Sequence, residues 1–263
     1  MAPLEVFCHG NYPLRLPYEK SLYIWTFYDP NSIEGFRAAA EIGVEGIEAD
    51  IYFSKNKKPI INHPGSLKLD PRRLDWRQIQ EIYPQIPDLD DLLIFLLKYP
   101  GLKCFLDLKD DSLELVEVIV KKLGYYNLRD RVFLTASRAK IGFLGLYSDG
   151  RMLSYAKSLD PKIKTHLIDI FPTNLAKTGK KLGADIISFG WFNDSLLSQL
   201  LFLVIFKTGL KNIKEEVAKA QNQGLLVFGG VTDTVLDVEY FIKVGVDGIV
   251  SNNPLKALET VKK

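Results

Sequence analysis

Short runs of apolar and β-branched residues recur along the chain, and amphipathic segments separate most of them. Runs of this kind are typical of strands that are buried on both faces, and the segments between them are typical of crossover helices. Nine runs fit this description: residues 5–9, 46–52, 59–63, 103–109, 131–136, 164–168, 185–189, 225–229 and 248–252. Helical patterns between them include residues 32–42, 112–123, 211–223 and 235–244. The alternation predicts an α/β fold with a parallel sheet.

The third run differs from the others because only residues 53–58 separate it from the second run. A parallel crossover needs about a dozen residues or more, so we expect residues 59–63 to fold back as an antiparallel hairpin arm on strand two. Eight parallel strands then remain, which is the number in a (β/α)₈ TIM barrel of roughly 250 residues. No Pro-, Gly- or Ser-rich linker divides the chain, so residues 1–263 are predicted to form a single domain.

Composition limits the partners and the compartment. The chain has 34 Lys and Arg residues against 32 Asp and Glu residues, and no basic stripe stands out, so nucleic acid is not an expected partner. Cys8 and Cys104 lie in predicted strands, where buried thiols in a reducing compartment are expected rather than a disulfide framework. The first residues show no basic segment followed by an apolar stretch, so we expect a cytoplasmic protein without a secretory signal.

Two long connections follow predicted strands and therefore belong to the carboxyl-terminal rim, where barrel enzymes keep their active sites. One is the aromatic-rich segment 10–30, and the other contains the apolar run 196–206. That run is about half as long as the roughly 20 residues that a spanning helix needs. We expect these segments to form an apolar lip that accepts a lipid-linked substrate or makes peripheral membrane contact. Alternatively, they cover each other or a second subunit.

Carboxylates fall at the ends of two neighbouring barrel strands. Glu48 and Asp50 are two residues apart in strand two, so their side chains point to the same face. Asp107 and Lys109 are related in the same way in the next barrel strand. Burying three carboxylates together requires either a bound cation or strongly raised pKa values. Oxygen ligands without thiolates favour a hard divalent metal, Mg²⁺ or Ca²⁺.

Two of the three histidines end predicted strands beside these carboxylates. His9 ends the first run and His63 ends the hairpin arm, so both are candidates for proton transfer. A single histidine is more often structural than catalytic, and the prediction therefore depends on the combination with the carboxylates. His166 lies within the fifth barrel strand, where we expect a hydrogen-bonded core side chain.

These residues resemble a known family. Residues 43–50, Gly-Val-Glu-Gly-Ile-Glu-Ala-Asp, with the stretch that ends in His63, resemble the core of the glycerophosphodiester phosphodiesterases and of the related sphingomyelinase D (phospholipase D) enzymes. Residues 86–92, 105–109 and 245–254 resemble later segments of the same family. The resemblance therefore extends from His9 to residue 254, nearly the whole chain.

The resemblance implies roles for particular side chains. In that family a divalent metal is bound by three acidic residues, which correspond here to Glu48, Asp50 and Asp107. Two histidines act as general acid and general base across the phosphate, and they correspond to His9 and His63. A neighbouring hydroxyl of the substrate often attacks first in this family, which makes a cyclic phosphate an expected intermediate or product.

Four positions depart from the family pattern. The Arg after the first histidine, which binds the phosphate in the family, is missing. Asn11 and Lys109 are expected to bind the phosphate here. An Asn also follows the first histidine in the sphingomyelinase D group. Pro64 replaces the Asp after the second histidine. Asp107 replaces the usual Glu, again as in the sphingomyelinase D group. The Trp of the seventh strand aligns with Gly229, with the neighbouring Phe228 as a partial substitute.

Three functions remain open on these grounds. The first is a metal-dependent phosphodiesterase that hydrolyses glycerophosphodiesters to an alcohol and glycerol phosphate. The second is a phospholipase D-like enzyme acting on lysophospholipid or sphingomyelin-type substrates, and Asn11, Asp107 and the apolar run support it. The third is a catalytically silent barrel that binds a phosphate ligand, which the four departures support.

Overall fold

The computed structural model describes residues 4–8, 31–63, 70–137, 150–169, 172–190, 213–232 and 234–262. Strands and helices alternate through these residues. The strands are β1 Glu5–Cys8, β2 Gly46–Phe53, β3 Pro59–Ile61, β4 Lys103–Leu108, β5 Val132–Ser137, β6 Lys164–Ile168, β7 Ile186–Phe189, β8 Leu226–Thr232 and β9 Gly248–Ser251. The helices are α1 Ile33–Glu41, α2 Trp76–Ile82, α3 Leu89–Lys98, α4 Leu113–Tyr125, α5 Arg151–Leu159, α6 Leu175–Leu182, α7 Ile213–Asn222, α8 Val235–Val244 and α9 Pro254–Val261.

The strands close into a barrel. Their order is β1-β9-β8-β7-β6-β5-β4-β2-β3, and an additional pairing of β1 with β2 joins the two ends of the parallel set. All pairings among the eight barrel strands are parallel, while β3 pairs antiparallel with β2 through Ile51 and Ile61. The predicted TIM barrel is therefore confirmed, and the structure also contains the hairpin arm.

Strand boundaries differ slightly from the predicted runs. The arm ends at Ile61 rather than at His63. After Ile61 the backbone makes a further hydrogen bond to β2, from the N–H of Asn62 to the carbonyl of Asp50 at 3.0 Å. Strand β8 extends to Thr232, three residues beyond the predicted run. Its ladder with β9 contains an irregularity between Gly230 and Thr232, and the strand continues past it.

Helix starts are fixed by side-chain caps. Ser32 accepts a hydrogen bond from the backbone N–H of Gly35 and begins α1. Asp88 and Asp91 form a reciprocal capping box at α3, within the segment 86–92 that the sequence singled out. Such caps satisfy backbone donors that have no partner inside a helix. The start of α1 matters for the site because the residue before Ser32 is one of its members.

Aromatic rings fill the middle of the barrel. The inner cluster consists of buried side chains from six strands: Phe7, Phe105, Phe133, Ile186, Phe228 and Val250. The rings of Phe7 and Phe105 stack with centroids 4.2 Å apart, and Phe228 meets both rings edge-on. This cluster forms an apolar floor beneath the carboxyl-terminal mouth.

The structure explains the glycine at the position where the resemblance places a Trp. A Cβ added to Gly229 would lie 2.1 Å from the ring of Phe241 on α8, so a side chain there would collide with the helix layer. Phe228, the suggested substitute, is fully buried in the inner cluster. Neither residue presents an aromatic ring at the mouth.

Two further observations bear on the sequence predictions. No helix in the described ranges is long and apolar enough to cross a membrane. Neither Cys8 nor Cys104 forms a disulfide, and Cys104 is buried as expected, whereas Cys8 is half-buried. Burial, with a smaller contribution from the charge of Glu48, raises the pKa of Cys8 to about 12, so its thiol stays protonated.

His166 occupies the core of the barrel, as the sequence indicated. Its Nδ1 lies 3.1 Å from the hydroxyl of Thr135 and its Nε2 lies 2.9 Å from that of Ser188. The imidazole also stacks on Phe105, with centroids 4.1 Å apart. Burial lowers the pKa of His166 from 6.5 to about 3, so the ring is neutral in the folded protein.

His166 should make the protein sensitive to acid. Between pH 6.5 and pH 3 the unfolded chain binds a proton at this position and the folded chain does not, so stability falls as the pH falls. We expect this residue to account for a loss of about 2 kcal/mol in unfolding free energy between pH 7 and pH 5. Urea unfolding of His166→Gln at both pH values should show a shallower dependence. Equal slopes in variant and parent would contradict the assignment.

Candidate active site

Three buried carboxylates meet at the carboxyl-terminal mouth of the barrel. Strands β2 and β4 pair in parallel so that Asp50 lies opposite Asp107, and Glu48 lies two residues earlier on the same face of β2. One oxygen from each of Glu48, Asp50 and Asp107 lies within 4.8 Å of the other two. All three residues are less than a tenth exposed. The structure therefore brings together the acidic side chains that the strand spacing selected.

Lys109 lies among these carboxylates. Its Nζ is 2.9 Å from Oδ1 of Asp50 and forms an ion pair with Asp107, and its side chain is only 8% exposed. Burial alone would lower the pKa of Lys109, but the negative charges of Asp107, Asp50 and Glu48 raise it well above its usual value. The ammonium group is therefore a permanent positive charge within the cluster.

Asn31 orients Asp50, and the sequence interpretation missed this residue. Its amide Nδ2 donates to Oδ2 of Asp50 at 2.8 Å, and its Oδ1 accepts from the backbone N–H of Asp50 at 2.7 Å. Asn31 has a φ of 65°, a left-handed conformation that Asn adopts more readily than most residues. Its position directly before the cap Ser32 was a local signal for a special backbone conformation. Nothing local indicated the contact with Asp50.

The carboxylates differ in their affinity for protons. Burial would raise the pKa of Asp50, but the charges of Lys109 and His63 and hydrogen bonds from Lys109 and Asn31 outweigh it and lower the pKa. At Asp107, burial dominates, and with the repulsion from Asp50 it raises the pKa to about 6 despite the ion pair with Lys109. A raised pKa was one of the two outcomes expected for three buried carboxylates.

The donor set fits a divalent cation. Among the four clustered side chains, three carboxylates and one ammonium leave two negative charges when all are ionised. Oδ1 of Asp50 is buried and already faces a cation, the ammonium group of Lys109, at 2.9 Å. Carboxylate oxygens without sulfur ligands suit a hard ion such as Mg²⁺ or Ca²⁺. Glu48, Asp50 and Asp107 could therefore hold such an ion.

His63 lies next to this cluster. It is half-buried and follows Asn62, whose backbone N–H donates to the carbonyl of Asp50 at 3.0 Å. Its charge contributes to the lowered pKa of Asp50, which places the imidazole within electrostatic reach of that carboxylate. Of the two predicted catalytic histidines, this is the one that the structure describes.

Several predicted residues lie outside the described residues: His9, Asn11, Pro64, the aromatic segment 10–30 and the apolar run 196–206. Strand β1 is described as far as Cys8, which pairs with Ile47, one residue before Glu48. The predicted roles of His9 and Asn11 therefore stay predictions.

Comparison with known proteins gives a consistent result. No family model matches the chain. A curated glycerophosphodiester phosphodiesterase from Caldanaerobacter subterraneus subsp. tengcongensis is 24% identical, and the match covers 89% of this chain and 92% of that protein. The resemblance to the glycerophosphodiester phosphodiesterases is confirmed.

Solved structures support the same fold. A glycerophosphodiester phosphodiesterase from Parabacteroides distasonis has a TM-score of 0.73 and 16% identity, covering 99% of this chain and 97% of that one. One from Thermotoga maritima has a TM-score of 0.67 and 15% identity, covering 97% of each chain. A phosphodiesterase from Oleispira antarctica, in complex with the product sn-glycerol-3-phosphate, has a TM-score of 0.69 and 16% identity, covering 99% of this chain and 98% of that one.

Removing the internal cation of this carboxylate cluster, Lys109, should destabilise the metal-free protein. Lys109→Met would leave buried carboxylates uncompensated, and breaking a buried ion pair in this way costs about 3–5 kcal/mol. We expect a lower unfolding free energy in EDTA and a partial recovery when Mg²⁺ is added, measured by urea unfolding under both conditions.

Lys103→Met provides the matched control. Lys103 forms an ion pair with Glu5 at the other end of the barrel strands, and its side chain is 33% exposed. Its loss should cost much less and should not depend on Mg²⁺. Equal losses in the two variants, or a Lys109 variant that is indifferent to Mg²⁺, would show that Lys109 does not compensate the cluster.

Proposed function

We propose that this chain is a glycerophosphodiester phosphodiesterase that hydrolyses glycerophosphodiesters to an alcohol and glycerol phosphate with the help of a divalent metal. The observation that carries the proposal is the cluster of Glu48, Asp50 and Asp107, whose oxygens lie within 4.8 Å of one another. It occurs in a chain that aligns over 89% of its length with a curated enzyme of that name.

The carboxylates have a defined role in this proposal. Glu48, Asp50 and Asp107 would hold Mg²⁺ or Ca²⁺, and the hydrogen bonds from Asn31 would keep Asp50 oriented toward the ion. When bound, a divalent ion neutralises a phosphoryl oxygen and lowers the pKa of a coordinated hydroxyl. Lys109 and Asn11 would add positive charge and a hydrogen-bond donor beside the phosphate.

The two histidines would move the protons. One imidazole takes a proton from the attacking water or substrate hydroxyl, whose oxygen forms a bond to phosphorus. The other gives a proton to the departing alkoxide as its bond to phosphorus breaks. His63 and His9 are assigned to this pair, and the position of His63 beside Asp50 supports the assignment. The apolar side chains around Phe105 lie in the barrel below the reacting groups and would exclude water there.

The first test is a direct assay. Purified protein should release sn-glycerol-3-phosphate from glycerophosphocholine and glycerophosphoethanolamine, with activity lost in EDTA and restored by Mg²⁺ or Ca²⁺. His63→Asn and His9→Asn should each lower kcat/KM by about 10² to 10⁴-fold, since general acid–base catalysis contributes about that much. Asp50→Asn should abolish the metal dependence together with the activity.

His166→Gln is the matched control for the histidine variants. His166 is a core side chain that contacts Thr135 and Ser188, so its replacement should leave kcat/KM at pH 7.5 within a few-fold of the parent. Absence of metal-dependent hydrolysis of any glycerophosphodiester would instead favour the catalytically silent phosphate-binding barrel.

A second candidate function is hydrolysis of lysophospholipid or sphingomyelin-type substrates through a cyclic phosphate. Asp107 favours it, because this acidic position carries Asp as in the sphingomyelinase D group that the sequence resembles. The apolar composition of residues 196–206 also supports a lipid-linked substrate or a peripheral membrane contact.

Replacing residues 196–206 by a short Gly-Ser linker tests the role of this run. We expect turnover of lysophosphatidylcholine to fall at least tenfold more than turnover of glycerophosphocholine, because only the first substrate offers an acyl chain to an apolar surface. Products would be identified by phosphorus NMR, which separates cyclic from open phosphates. Equal losses on both substrates would remove the lipid-specific role.

A further inference from the structure

Asn252 is a buried side chain at the mouth that the proposed mechanism does not use. Positions 248 and 250 of β9 face the interior of the barrel, because a Cβ on Gly248 would meet the ring of Phe228 and Val250 belongs to the inner cluster. Because side chains alternate along a strand, Asn252 is the next inward position, at the carboxyl-terminal end. Its backbone N–H continues the ladder by donating to the carbonyl of Thr232 at 3.0 Å.

The side-chain oxygen of Asn252 has no hydrogen-bond partner among the described residues. The residue is 6% exposed, and within the part of the chain that the structure describes its Oδ1 accepts no hydrogen bond. The flanking side chains are used by the fold. The hydroxyl of Ser251 donates to the carbonyl of Thr232, and Asn253 caps α9 by accepting from the N–H of Lys256. Leaving a buried acceptor unpaired costs stability, so a partner is expected.

We propose that Oδ1 of Asn252 accepts a hydrogen bond from a hydroxyl group on the glycerol part of the substrate. The inference rests on the proposed function and deepens it by assigning a residue that distinguishes glycerol esters from other phosphate esters. Strand β9 pairs with β1, and β1 pairs with β2, so Asn252 shares the mouth with Glu48 and Asp50.

Because Oδ1 of Asn252 is a hydrogen-bond acceptor, its partner on the substrate must be a hydrogen-bond donor. An ionised phosphodiester offers only acceptor oxygens, so it cannot pair with an amide oxygen. A choline group carries no N–H or O–H. The hydroxyls of glycerol are therefore the donors that all glycerophosphodiesters have in common and can present to Oδ1 of Asn252. A site built to pair with a substrate hydroxyl discriminates strongly against an analogue that lacks it.

Two ligands that differ only in hydroxyl groups test the proposal. Isothermal titration in the presence of Mg²⁺ would compare sn-glycerol-3-phosphate with n-propyl phosphate. We expect the parent to bind the glycerol ester about tenfold more tightly or better. Asn252→Leu, which keeps the branched outline of the side chain but removes its polar atoms, should abolish this preference without weakening n-propyl phosphate. Asn252→Asp keeps an acceptor oxygen and should keep the preference, even if its charge weakens both ligands.

Ser251→Ala is the structural control, because it removes a satisfied hydrogen bond on the adjacent residue. It should lower the melting temperature and leave the ligand preference unchanged, whereas Asn252→Leu should not lower the melting temperature. The proposal is overturned if Asn252→Leu weakens both ligands equally, or if the parent binds both equally well. If the parent binds the two ligands equally well, the role of Asn252 is overturned but the proposed phosphodiesterase function is not. If the parent binds neither ligand, the role of Asn252 and the proposed function are both overturned.

Discussion

The structure depends above all on the compensation of three buried carboxylates at one end of the barrel. Glu48, Asp50 and Asp107 are placed there by the register of two parallel strands, and they are too deeply buried for water to screen their repulsion. Lys109, which directly follows the strand that contains Asp107, supplies a positive charge. Asn31 supplies a neutral donor to the most buried carboxylate. Burial, together with the repulsion from Asp50, raises the pKa of Asp107 in spite of this compensation.

The interior below the carboxylates strengthens these electrostatic interactions. Phe7, Phe105 and Phe228 form an apolar layer, and His166 adds a ring whose lowered pKa keeps it neutral at neutral pH. Charges at the mouth therefore face a low-dielectric floor on one side. A protonated imidazole at His166 would place a further positive charge two strands away from Lys109. Its hydrogen bonds to two hydroxyl groups satisfy the ring without that charge.

Much of this arrangement could be predicted from the sequence, because it follows from spacing. The length of the connections separated the hairpin arm from the barrel strands, and the two-residue spacing placed Glu48 and Asp50 on one face. Contacts that depend on how distant segments meet could not be predicted. Asn31 reaches Asp50 across 19 positions of sequence. That Oδ1 of Asn252 lacks a hydrogen-bond partner within the described ranges can be known only from the structure. The same holds for Gly229, where a side chain would collide with Phe241 on α8.

The position of Lys109 links the two ligands of the proposed reaction. In the structure its ammonium group contacts Asp50 and Asp107, the carboxylates that would also hold a divalent ion. An ion between the carboxylates would cancel the two negative charges that remain beside Lys109 and bring the four side chains and the ion to a formal charge of zero. The phosphate would then meet no net negative charge at the mouth, and the ammonium group of Lys109 would attract it. Charge balance therefore favours binding of the phosphate together with the metal, with Lys109 as the group that compensates the carboxylates when neither is bound.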